Sequence, residues 1–364
     1  MYSFTPTDEQ QMLLDACSRY ANQDLRPAAR EMEESNELDL KLVEKGWELG
    51  LLQASMPEQY GGFGEYSALT GALAAESLAY GDLAAALAVL TPSLFALPIY
   101  LTGNDQQKQK YIPAVIEAEW KPFTSALLEP VFNFDPQNLE TTAEIKKEEI
   151  LISGEKFAVP FADQAPAVLV YAKLDGKTQG VIVPADTPGL EIQSREKLLG
   201  LNALPLFRVT LNQAAVPLEN LLNGPEGHDL EPILTSSWIA LTALAVGVSQ
   251  AAFDYAVDYA KDREVFGVKV AQKQAIAFLI AEMGIEIESS RLLGWEAAWM
   301  VDQGKPEAFK QAYLACQNAL DAAMMVTDSA VQILGGHGYI REHPVEMWMR
   351  NARGFQTFTG LALI

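Results

Sequence analysis

The feature that most constrains this chain is a change of period: apolar residues recur at helical spacing, give way to alternating runs punctuated by proline, then return to helical spacing. Thr7-Asp8-Glu9-Gln10 offers an N-cap with Gln three residues on, and Met12, Leu13, Ala16 and Tyr20 follow on one helical face. Pro27 ends or bends that run. Asp39 to Leu49 reads as a second amphipathic helix closed by Gly50. Ala68 to Ala79 and Leu83 to Leu90 are Ala-rich helices, and Gly103 to Val115 includes a short one. Residues 121–225 change character. Glu149 to Phe157 alternates, Val168 to Ala172 and Gly180 to Val183 are rich in β-branched residues, and Asp175-Gly176 between them signals a hairpin. Leu206 to Leu211 is another strand, so this stretch predicts a compact antiparallel β domain of sandwich or barrel type. Asp229 to Asp262 is apolar on nearly every face through its middle and has to be buried. Gln272 to Val301 is a second long helix. Gly304 stops it, and Pro306 suits position N1 of a third that runs to Leu334 and ends at Gly335-Gly336. Long antiparallel helices with short joints predict a four-helix bundle. The expected organisation is α+β in three parts: an N-terminal helical domain over 1–120, a middle β domain over 121–225 and a C-terminal helical bundle over 226–364.

Charge and cysteine usage exclude several functions. A net charge of −22 repels nucleic-acid phosphates and anionic lipid head groups, which argues against nucleic acid and membrane as partners. Cys17 and Cys316 sit inside helical patterns, with the spacing of neither a metal site nor a disulfide framework. His337 and His343 lie six apart across Gly338 and Pro344 and read as loop residues, so no metal site is expected. The start, Met1 to Pro6, has no signal-peptide pattern, and the most apolar segment, Trp238 to Val248, reads as too short for a membrane span. A cytoplasmic, reducing location is the expectation.

Five motifs then occur in order. They are Gly50-Leu51-Leu52 with Pro57-Glu58-Gln59-Tyr60-Gly61-Gly62; Leu128-Glu129-Pro130; Val216-Pro217-Leu218-Glu219-Asn220-Leu221-Leu222; Arg263-Glu264-Val265-Phe266-Gly267 with Gln274; and Gln332-Ile333-Leu334-Gly335-Gly336-His337-Gly338-Tyr339. Together they resemble the acyl-CoA dehydrogenase family along the whole chain. The resemblance implies that family's fold, FAD, an acyl-CoA thioester and α,β-desaturation, with electrons passing to an electron-transferring flavoprotein. Such chemistry needs a carboxylate base in a desolvated cleft and hydrogen bonds on the thioester carbonyl.

The sequence departs from the family where its own chemistry would sit. The family's Y-E-G-T-S motif reads Phe358-Thr359-Gly360-Leu361, which puts Thr359 at the base and leaves Gly360 as the matching substrate contact. The alternative base position, on the first helix of the bundle, is Ser237. The flavin motif continues Val131-Phe132-Asn133-Phe134, where two Phe are expected to fill the ring's space, and the family's W-I-T reads Ala158-Val159-Pro160. The D-x-x-R pattern near acyl-CoA reads Thr235 and Trp238, and the sequence stops at Ile364, soon after the point of the family's adenine contacts.

Arg263, Phe266, Gln274, Gln332, Gly335 and Gly336 match well, and in the family these positions largely reach across a subunit interface to the neighbour's FAD. A guanidinium suits a pyrophosphate, and a Gly pair permits close backbone approach. The pattern implies a non-catalytic subunit that lends FAD-binding residues to a homologous catalytic sibling. Two alternatives stand beside it: an FAD enzyme using an atypical base such as Glu129 or Asp254, and a binding or scaffold protein on the same fold.

Overall fold

The computed structural model describes residues 5–355 and 359–364. Met1 to Phe4, which carry part of the signal-peptide reading, and Phe358 of the C-terminal motif lie outside them. Helices α1 (Asp8–Tyr20), α2 (Arg26–Ser35), α3 (Leu40–Trp47), α4 (Leu51–Ala54), α5 (Ala68–Gly81), α6 (Leu83–Leu90), α7 (Ser93–Thr102) and α8 (Asp105–Val115) come first. Thr7 caps α1 reciprocally with Gln10, as its sequence predicts. Pro27 does not end the run. A π-helical turn over Ala21–Leu25 joins α1 to α2, and Pro27 stands in the first turn of α2, where its missing N–H costs nothing.

Strands β1 (Thr124–Ala126), β2 (Thr142–Lys146), β3 (Glu149–Pro160), β4 (Ala167–Leu174), β5 (Lys177–Pro184), β6 (Leu190–Arg195) and β7 (Leu206–Pro217) form one seven-stranded sheet, ordered β1-β4-β2-β3-β7-β6 with β5 on β4. Asp175 and Gly176 make the two-residue hairpin between β4 and β5, both at positive φ (49° and 79°) as a type I′ turn requires. The purely antiparallel expectation is corrected. β1 pairs with β4 in parallel over three residues, and Thr142 of β2 meets Lys173 in parallel. Such pairings join segments distant in sequence, so no local pattern announces them.

The last part holds α9 (Glu231–Asp262), a hairpin of β8 (Glu264–Val265) and β9 (Val268–Lys269), α10 (Gln274–Asp302), α11 (Ala308–Leu334) and α12 (Val345–Phe355). The fourth helix is thus short, 11 residues, and α5 of the first part also lies along α9. Pro306 lies outside α11, ahead of Glu307 at its N-cap, rather than at N1. The helix containing Trp238 to Val248 runs 32 residues, so the reading that it is too short to span a membrane is corrected; by length and composition it passes, yet 94% of its most apolar window is buried inside the protein. Its apolar faces are covered by α5, α7, α10, α11 and α12. The contact with α5 is close: a Cβ on Gly247 would lie 2.3 Å from the Glu76 carbonyl oxygen.

Candidate functional site

Ser237 and Thr359 sit on segments that meet. Ser237 is buried on α9, and its Oγ accepts the Gly360 N–H at 2.7 Å. Gly360 has φ +84°, and a Cβ there would lie 2.6 Å from Leu127 Cδ2, just beyond β1. The two positions that the resemblance assigns to the base thus carry hydroxyls, and neither can take a proton near neutral pH. The next four residues, Leu361 to Ile364, are buried. Ile364 donates its N–H to Ser236 Oγ at 3.2 Å, and its carbonyl accepts from Ser236 at 2.7 Å and Tyr66 at 2.9 Å. Thr235 is spent on its own helix, on the Glu231 carbonyl, and Trp238 packs on Phe309 and Tyr313.

The alternative carboxylates are both engaged elsewhere. Glu129 is buried and saturated: it accepts from Lys156 Nζ at 2.8 Å and from the backbone N–H groups of Glu140 and Thr141 at 2.7 and 2.8 Å. Burial alone pushes its carboxyl up, but the charge and hydrogen bond of Lys156 outweigh it and hold the group below the usual carboxylate range. Asp254 accepts from the Tyr80 hydroxyl and from Gln250, seventeen positions along α9 from Ser237, or about 25 Å at 1.5 Å per residue.

The positions that the resemblance assigns to the flavin ring carry apolar residues. Ala158 to Pro160 end β3, with Val159 paired to Phe207 and Pro160 to Leu206, all buried. Phe161 packs edge-on against Trp120. Phe134 is half-buried against the core, but Phe132 is fully exposed, which corrects the expectation that both Phe fill that space.

The other six residues lie at the far end of the bundle. Arg263 caps α9, Phe266 and Gly267 form the β8–β9 turn, Gln274 opens α10, and Gln332 to Gly336 close α11. The Tyr259 hydroxyl, one turn before Arg263, meets His337 Nδ1 at 2.7 Å beside Gly336, so the α9 end and the α11 end are tied together. The side chains of Arg263, Gln274 and Gln332 are exposed and hold no hydrogen bond or ion pair among the described residues. A Cβ on Gly335 or Gly336 would meet nothing within 4 Å. The sequence reading missed the part His337 plays: its ring stacks on His343, which the Tyr255 hydroxyl holds at 2.7 Å. No spacing signal reveals that pairing, and among the described residues no cluster suits a metal ion.

Phe266 is the strained member. It stands at φ +59° with 94% of its surface exposed, a conformation a bulky residue rarely adopts. Phe266→Gly is expected to raise the stability of the isolated chain by about 0.5–1 kcal/mol, read as a higher urea midpoint. An unchanged or lower midpoint would show that the tip is not strained.

With this geometry in place, comparison with known proteins gives a consistent answer. The N-terminal, middle and C-terminal domains of acyl-CoA dehydrogenases match residues 7–119, 124–214 and 232–362. The chain belongs to the acyl-CoA dehydrogenase family. It is 34% identical to a probable acyl-CoA dehydrogenase of Bacillus subtilis over 96% of this chain and 94% of that one. It is also 34% identical to the mitochondrial short-chain specific acyl-CoA dehydrogenase of Sus scrofa, over 97% and 87%. Among solved structures, butyryl-CoA dehydrogenase from Megasphaera elsdenii superposes with a TM-score of 0.90 at 31% identity, covering 99% of this chain and 96% of that one.

Proposed function

We propose that this chain is the non-catalytic subunit of a heteromeric FAD-dependent acyl-CoA dehydrogenase. It lends Arg263, Phe266, Gln274, Gln332, Gly335 and Gly336 to the FAD of a homologous catalytic sibling. One contrast carries the reading: the base positions hold hydroxyls and the ring positions apolar residues, while the side chains of Arg263, Gln274 and Gln332 are exposed and hold no hydrogen bond or ion pair among the described residues. The sibling supplies the carboxylate that removes the α proton of an acyl-CoA, and an electron-transferring flavoprotein takes the electrons. A cytoplasmic setting suits the two cysteines, whose thiols burial pushes up to about 12, out of redox reach.

The test is flavin absorbance per chain for the protein alone and with its sibling. Flavin only in the mixed complex, at fewer than one per chain, is the expected result. Arg263→Ala should then weaken flavin retention by the complex about tenfold or more, the scale of a lost charge-assisted hydrogen bond. Full flavin on this chain alone overturns the proposal.

A further inference from the structure

The segment of residues 361–364 is buried but poorly bonded. Ala362 and Leu363 lie in no helix or strand, and their main-chain groups hold no hydrogen bond among the described residues. Buried peptide groups without partners are costly, so the burial of Leu361, Leu363 and Ile364 has to hold the segment in place. Side-chain hydroxyls supply the rest: Ser237 takes the Gly360 N–H, and Ser236 and Tyr66 take Ile364. On the α5 side there is no room to spare, since a Cβ on Gly71 would lie 2.9 Å from Ile364 Cβ.

The same segment closes a cavity. A pocket of about 650 Å³ opens beside the exposed Glu9 and Glu65 and runs between Leu13, Leu52, Leu90 and Leu97 to Leu363 and Ile364. It does not reach Ser236 or Ser237, which meet the segment from the α9 side. We infer that residues 361–364 are a displaceable plug, and that their leaving joins the cavity to the α9 hydroxyls as one channel for a neutral, unbranched apolar chain with an oxygen at its end. An alkyl chain fills that space with no peptide groups to leave unpaired. Its terminal oxygen takes the place of the Ile364 carbonyl on Ser236 and Tyr66. No Lys, Arg or His is among the described residues that line the cavity, and two carboxylates stand at its mouth, so a neutral chain is favoured over a fatty carboxylate. The inference does not depend on the paired-subunit reading.

The probes are 1-hexanol and 1-decanol, measured on the full chain by displacement of the neutral dye Nile red. Gly71→Ala pushes the segment from α5, where alanine suits a helix interior, and Ile364→Ser loosens it from within. Each variant should bind 1-decanol about tenfold or more tighter than the unaltered chain, because the cost of evicting the plug is already met. 1-Hexanol, which fits the cavity as it stands, should bind all three alike. The unaltered chain gives a direct reading that no folding defect can mask. Hydrogen exchange at the Ala362 and Leu363 amides should quicken about tenfold or more when 1-decanol is added, with α9 unchanged. Exchange at those two amides that ignores 1-decanol overturns the inference, since the segment is then fixed core. Exchange that quickens equally in α9 reports general loosening and overturns it as well, as do variants that bind 1-decanol no better than the unaltered chain.

Discussion

Lys156→Met is expected to destabilise the chain by about 3–5 kcal/mol, the cost of leaving one partner of a buried ion pair alone. Lys156 is fully buried on β3, and its Nζ lies 2.8 Å from Glu129 Oε1 and 3.2 Å from the Leu127 carbonyl. Burial pushes its ammonium down to about 8 against the pull of the Glu129 carboxylate. Removing the cation leaves a carboxylate with two backbone donors and no counter-charge. Glu129→Gln should cost a similar amount from the other side. Lys156→Met/Glu129→Leu should recover only part of the loss, because the apolar pair carries no buried charge but leaves the Glu140 and Thr141 N–H groups and the Leu127 carbonyl without these partners. Urea unfolding of the four proteins measures this. A single-variant cost below about 1 kcal/mol would show that the pair is hydrated. The pattern also separates structure from catalysis: a base would lose proton transfer with its fold intact, whereas Glu129 should lose the fold.

That pair illustrates what local sequence can and cannot carry. The Thr7–Gln10 capping box, the Asp175-Gly176 turn and the buried length of α9 follow from residues close in sequence, and the structure has all three. α7 did not announce itself, because Pro98 sits inside it and reads as a breaker. The β1–β4 pairing and the Lys156–Glu129 bond join residues 27 or more positions apart, and no period records such distances. Ser237 and Gly360 are singled out only by the motif resemblance; they stand 123 positions apart, and no spacing signal brings them together. α10 shows another limit: its residues read as one long helix, but a helical period looks the same whether a face meets the core or solvent, and only exposure distinguishes them.

Asp82→Asn is expected to stabilise the chain at neutral pH, against the usual run of substitutions at buried sites. Asp82 is buried between α5 and α6, where its carboxylate caps α6 by accepting the Ala85 N–H at 2.8 Å. Burial raises its pKa to about 6, helped by Glu33 and opposed by the N–H groups of Ala85 and Ala84 and by Arg26. The sign follows from proton counting. Between the unfolded value of 3.8 and the folded value of about 6, the folded chain holds a proton that the unfolded chain has lost. The stability this gives is full below about pH 4 and drains away as pH rises through 6. By neutral pH the cost is of order 1–3 kcal/mol, from 1.36 kcal/mol per unit. Asn keeps the acceptor for Ala85 and carries no charge, so it keeps the cap without the buried anion. The stability difference between Asp82→Asn and the unaltered chain, followed by urea unfolding from pH 4 to pH 8, should therefore be near zero at the acid end and grow through pH 6. A difference that stays flat with pH would mean that Asp82 is ionised at no cost, and that Arg26, stacked between Tyr80 and Trp348, neutralises it more fully than its position implies.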